Sequence, residues 1–243
     1  NTVNLVDLVD VYLLTVNPDN PNQYLFDGEW RDFTRGEARM TVKIWGPITW
    51  TVTRETLRSV QGPVLQLPHG TYALRYAGMD EIRQVVQYHR YNKAHDFAAF
   101  EAALKMQALP SLNYIYADET GRIAFWHNGT YPKRASGYDW KGLLPGDTSA
   151  TLWTEFLPYD AVPKIVDPRS GFVANANSTP FLATGPRDQL KESDFAPEMG
   201  FDTRLTNRNL RLIELLGNDP EITDEEFIAY KMDVTYAPHS EMG

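Results

Sequence analysis

Two short stretches carry side chains whose types and spacing could do chemistry. In GFVANANSTPF, residues 171–181, the carboxamides of Asn175 and Asn177 flank one alanine just before a proline. A carboxamide donates and accepts hydrogen bonds with no charge or proton to lose, and a pair at the end of an apolar run reads first as turn chemistry. If the run is a strand, its alternation puts both side chains on one face. Asn177 also heads NST and Asn128 heads NGT, both glycan-acceptor patterns of surface loops; the burial expected of a strand around Asn177 argues against that use there. Near the start, Asp7 and Asp10 interrupt the apolar segment VNLVDLVDVYLL. Such carboxylates either face solvent or, if buried, need partners; as paired oxygen ligands they would suit a hard cation such as calcium.

Other engines are missing. The five histidines, His69, His89, His95, His127 and His239, have no ligand spacing and read as ordinary surface or core residues. There is no G-x-S-x-G, H-E-x-x-H, P-loop or G-x-G-x-x-G motif. The absence of cysteine removes thiol nucleophiles, disulfides and cysteine zinc sites together.

The elements that must position these residues are mostly strands at first. Val3 to Val16 reads as β, followed by the NPDNPNQ turn. YLF, ARMTVKIW and ITWTVT are β-branched and aromatic, with Gly46-Pro47 turning the last two into a hairpin. From Met79 the period becomes helical over DEIRQVVQYHRYNKA and DFAAFEAALKMQAL, the second capped by Asp96 and ended by Pro110. SLNYIYADETGRIAFWHNG is a hairpin around DETG. Residues 131–169 read as a loop with large packed side chains. Helices are expected near Thr206–Leu216 and Asp224–Met232, the latter from a T-D-E-E cap.

With 243 residues, 42% of them hydrophobic, and no internal repeat or linker-like composition shift, the chain reads as one α+β domain over residues 1–243. A net charge of −9 with scattered lysine and arginine leaves no basic stripe for nucleic acid. No apolar run reaches the roughly 18 residues of a membrane span. The first residues carry neither an initiator methionine nor a signal-type n-region, and the sequence reads as an interior piece of a longer or processed chain.

The blocks NYIYADETGRIAFWHNGTYPKR, YDWKGLLPGD and VPKIVDPRSGFVANANSTPF, with NPDNPNQYLF upstream, stand in the order of the penicillin acylase family of N-terminal nucleophile hydrolases, and the chain closely resembles that family from Asn1 to about Leu216. The resemblance implies a four-layer αββα fold, with antiparallel sheets between helices. It implies an amide hydrolase that cuts its own precursor and attacks a small-molecule N-acyl substrate with the serine exposed at the new terminus. Asn1 has no hydroxyl and matches a segment downstream of that terminus, and Ser111, Ser136 and Ser178 lie where the family does not attack. The nucleophile is therefore expected outside this chain, in the rest of a β-subunit paired with an α-subunit, in the periplasm or secreted.

On the same resemblance Asn177 supplies a side-chain donor and Val3 a backbone N–H to the oxyanion, Asn175 braces the site, and Arg204 is the arginine beside it. Asp7, the Val9 carbonyl, Asp10 and Asp188 match structural calcium ligands, although the stretch between Pro132 and Trp140 is shorter than in calcium-binding members and drops a backbone ligand. Gln61 stands where many relatives have histidine, which removes a catalytic role there. No organic cofactor is implied. The rival reading is a secreted, non-catalytic homologue that holds an acyl ligand in the same cleft.

Overall fold

The computed structural model describes residues 1–238 and 240; His239, read above as an ordinary histidine, lies outside them. In chain order the strands and helices are β1 (Val9–Leu14), β2 (Gln23–Phe26), β3 (Glu29–Asp32), β4 (Thr34–Trp45), β5 (Ile48–Arg58), β6 (Pro63–Leu67), β7 (Gly70–Tyr76), α1 (Gln84–Asn92), α2 (Phe97–Leu104), β8 (Ser111–Ala117), β9 (Ile123–Gly129), β10 (Leu143–Pro145), β11 (Lys164–Val166), α3 (Asn207–Gly217) and α4 (Asp224–Lys231). They gather into two compact units, one of Asn1–Leu8, Asp80–Pro132 and Glu155–Gly243, the other of Val9–Met79 and Lys133–Thr154. Because the chain passes between units within runs of ordinary composition, no linker signal marks the division.

The second unit is a six-stranded sheet in the order β10-β1-β7-β6-β5-β4, antiparallel except for the β1–β10 pair. On β1 the alternation buries Asp10, Tyr12 and Leu14 and exposes Val9 and Leu13, so Asp10 points inward. A buried carboxylate needs compensation. Arg134 donates to both of its oxygens, through Nη2 at 2.8 Å and Nε at 3.3 Å, and the Trp153 indole N–H donates a third bond. The solvent-facing alternative for Asp10 therefore fails. Burial, then the Asp10 carboxylate, pushes the neighbouring Tyr12 hydroxyl well above the usual phenol range. Gln61 is buried here too, donating to the Gly146 carbonyl at 2.8 Å.

The first unit is built on the antiparallel sheet β11-β9-β8. The period of two gives it two unlike faces. Tyr114, Tyr116 and Trp126 share one, against the rings of Tyr91, Phe97 and Phe100 from α1 and α2. Such ring pairs each contribute about 0.5–1.5 kcal/mol beyond their buried area. The start of α2 is fixed by Asp96, which accepts the Ala99 N–H at 2.7 Å, as its cap position predicts. On the other face Phe125 and Ile165 pack with Ala183, Val173 and Leu190 from the long connection after β11. That connection is not a strand over residues 171–177, contrary to the sequence reading. Asn177 has φ +57°, a left-handed conformation that ends an extended run and that asparagine tolerates better than most residues.

Along the free edge of β8 runs the N-terminal segment. Thr2 and Asn113 exchange both backbone hydrogen bonds, at 3.0 and 2.8 Å. Two residues on, buried Asn4 donates to the Asn128 carbonyl at 2.7 Å and accepts from the Ser111 hydroxyl. The β8 edge thus holds the segment that carries Val3.

Candidate active site

Since Thr2 turns its backbone groups toward β8, those of the next residue point the other way. There the Val3 carbonyl accepts from Asn177 Nδ2 at 2.9 Å. The Val3 N–H makes no hydrogen bond among the described residues.

At the opposite end of the Asn177 carboxamide, Arg208 Nη2 donates to Oδ1 at 3.2 Å. A guanidinium can only donate and a carbonyl only accept, which assigns Oδ1 and Nδ2 without ambiguity. One Nδ2 hydrogen is taken by Val3, and the second remains for a further acceptor.

Asn175 sits behind it. Its Oδ1 accepts the Asn177 N–H at 3.1 Å and an Asn113 Nδ2 hydrogen at 2.9 Å, while its Nδ2 donates to Thr2 Oγ1 at 2.7 Å. The two asparagines do not share a face by strand alternation, because Asn177 leaves the extended conformation; a side-chain bond joins them instead. Asn113, fully buried in mid-strand, also donates to the Ser178 carbonyl at 3.2 Å. Asn113 had no signal in the sequence beyond being a polar residue on the inward face of an apolar hairpin.

Arg204 makes a local ion pair. Its exposed guanidinium pairs with Asp202 two residues back, and it is Arg208, four residues later, that reaches Asn177. Arg208 lies in the first turn of α3, next to the Asn207 that follows the Thr206 cap. A cation there opposes the helix dipole, so its placement serves the contact rather than the helix. Arg208, Arg211, Leu212 and Tyr230 help line a cavity of about 560 Å³ that opens beside Asn175 and Ala176. Asn128, whose NGT matches a glycan acceptor, is fully buried, with its side chain donating to the Leu109 carbonyl.

The four positions matched to calcium ligands divide between the units: Asp7 and Asp188 in the first, Val9 and Asp10 in the second. Both Asp10 oxygens take the donors named above, and the Asp188 carboxylate accepts from Arg169 and from the Ser170 N–H, each at 3.0 Å. Among the described residues no three acidic or histidine side chains gather where they could hold a metal. Calcium needs six to eight oxygen donors, and these residues do not by themselves fit it.

The family model for penicillin amidase matches residues 1–242. The chain belongs to the penicillin amidase family. It is 33% identical over 230 residues to penicillin G acylase of Escherichia coli, covering 93% of this chain and 25% of that protein. It is 24% identical over 261 residues to the acyl-homoserine lactone acylase PvdQ of Pseudomonas putida, covering 93% of this chain and 33% of the relative. The fold matches the thermostable penicillin G acylase of Alcaligenes faecalis with a TM-score of 0.74 at 22% identity, over 94% of this chain and 39% of that one. The fold is thus the one expected from the sequence, with its mixture of helices and antiparallel sheets. The chain spans a quarter to a third of the length of these curated relatives. No helix among the described residues is long and apolar enough to cross a membrane.

Proposed function

We propose that this chain carries the oxyanion-stabilising half of an amide hydrolase that cleaves a linear N-acyl compound through an acyl-serine. When a nucleophile adds to an amide carbon, the carbonyl oxygen becomes an anion, and fixed donors aimed at it lower the barrier. The observation that carries the reading is the corner at Val3 and Asn177. A backbone N–H without a partner and an Asn177 Nδ2 with one hydrogen to spare lie on the same side of the N-terminal segment. The left-handed φ of Asn177 adds support, since conformations of this kind concentrate at working sites. Collapse of the adduct expels the amine, and water then releases the acid from the serine over the same two donors.

The serine itself is proposed to lie in the remainder of the β-subunit, in a processed enzyme that includes an α-subunit and works in the periplasm or outside the cell. The short span of the chain against its relatives supports this. The substrate class follows the relatives, whose names cover penicillin G and acyl-homoserine lactones. No step is routed through calcium.

The test is Asn177→Gly in the complete protein. Glycine accepts the left-handed φ without strain and removes the side chain with its carboxamide. Turnover of a chromogenic N-acyl amide should fall about 10²–10³-fold with KM little changed; unchanged turnover would refute the oxyanion role.

A further inference from the structure

We propose that Asn113 is a positioning residue that fixes the two oxyanion donors relative to one another. The inference rests on the oxyanion reading and adds to it the residue that sets its geometry. Asn113 holds both sides of the site at once. Its backbone exchanges two hydrogen bonds with Thr2, immediately before Val3. Its Nδ2 donates to Asn175 Oδ1, which in turn accepts the Asn177 N–H, and to the carbonyl of Ser178, immediately after Asn177. Asn175 closes the ring by donating to Thr2 Oγ1. The Val3 segment and the Asn177 loop therefore meet at one side chain, and Asn113 is bonded to the residues that flank each donor.

Stability alone does not account for this choice. Asn113 is fully buried, and its Oδ1 makes no hydrogen bond. A buried, unsatisfied acceptor is destabilising, and an apolar residue in mid-strand would avoid it. What such a residue could not supply is a fork of two donors reaching two acceptors on the neighbouring loop. Oxyanion stabilisation depends on preorganised donors, and displacement of a reacting geometry by about 1 Å can cost roughly 10²-fold in rate.

The experiment is a double-mutant cycle of Asn113→Ala and Asn177→Gly in the complete protein, with kcat and KM measured on an N-acyl amide. Asn113→Ala alone should lower kcat about 10–100-fold, with KM within about twofold. In the Asn177→Gly background it should cost less than about threefold, because the donor it positions is gone. Equal losses in both backgrounds, or a change confined to KM, would overturn the proposal while leaving the oxyanion reading in place. Full turnover by Asn177→Gly alone would remove the reading itself. If Asn113→Ala fails to fold, Asn113→Asp replaces it. Its carboxylate has no hydrogen to give, but the protonated acid has one, so its kcat relative to the parent protein should climb as pH falls. A pH-independent ratio would overturn the proposal.

Discussion

The carboxamide oxygen of Asn175 accepts the backbone N–H of Asn177 at 3.1 Å, so the inner asparagine holds the left-handed turn that presents the outer one. That bond separates the roles of two residues that look alike in sequence. Asn177 offers a donor outward, while Asn175 spends its polar atoms on Asn177, Asn113 and Thr2. Asn175→Ala should therefore lower kcat by about tenfold or more through loss of geometry. Asn175→Asp keeps the oxygen acceptors and should lose less. Steady-state kinetics on both variants check the order; an aspartate as damaging as alanine would mean that the bond to Thr2, and not the brace on Asn177, is what matters.

Arg208 gives a second prediction. Its guanidinium fixes which end of the Asn177 carboxamide faces Val3, and a lysine has no planar fork with which to repeat the contact. Arg208→Ala is expected to reduce kcat by more than Arg204→Ala does, with Arg208→Lys between Arg208→Ala and the parent protein. Equal losses at 204 and 208 would show that the contact with Asn177 is not the reason for either arginine.

A third concerns the fully enclosed pair of Asp10 and Arg134, whose side chains are both 0% exposed. Removing one partner strands the other charge in a low-dielectric interior, at a cost of about 3–5 kcal/mol. Urea unfolding of Arg134→Met should show a loss of that order. Asp10→Asn in the same chain should recover part of it, since a carboxamide buries no charge. No recovery in the double variant would assign the loss to packing against Trp140, whose ring lies 5.3 Å from the guanidinium.

How much of this was legible beforehand depended on how local the determinant was. The β8–β9 hairpin, the Asp96 cap and the capping box at Thr223 are written within a few residues, and each forms where its pattern lies. Asn175 and Asn177 were visible as a pair, yet their division of labour was not. It follows from one positive φ and from partners 62 and 174 residues away, at Asn113 and Val3. Asn113 was invisible because a lone asparagine in a strand does not announce what it will face. Arg204 precedes the Thr206 cap and Arg208 lies in the first turn of α3, and the contact with Asn177 that falls to Arg208 is set by the placement of that helix. Whether Asp10 faces solvent or the core stayed open in the sequence, because the partner that settles it, Arg134, is 124 residues distant.

The last prediction concerns pH and a histidine outside the site. His127 is fully buried on β9. The Tyr131 hydroxyl donates its only hydrogen to the His127 carbonyl at 2.7 Å, so the contact between that hydroxyl and His127 Nδ1 must be donated by the ring. Nε2 is then unprotonated, and no acceptor stands near it among the described residues. Burial pushes the imidazole pKa down to about 3, from an ordinary value of 6.5. A base whose folded pKa is depressed leaves the unfolded chain to bind the extra proton. Its contribution to stability is complete above about pH 6.5 and is lost as pH falls toward about 3, at roughly 1.4 kcal/mol per pH unit within that window. Denaturant unfolding between pH 7 and pH 4 should therefore show a steeper loss in the parent protein than in His127→Gln, by about one proton's worth of slope. Parallel curves for the two proteins would mean that the folded state accommodates the protonated ring.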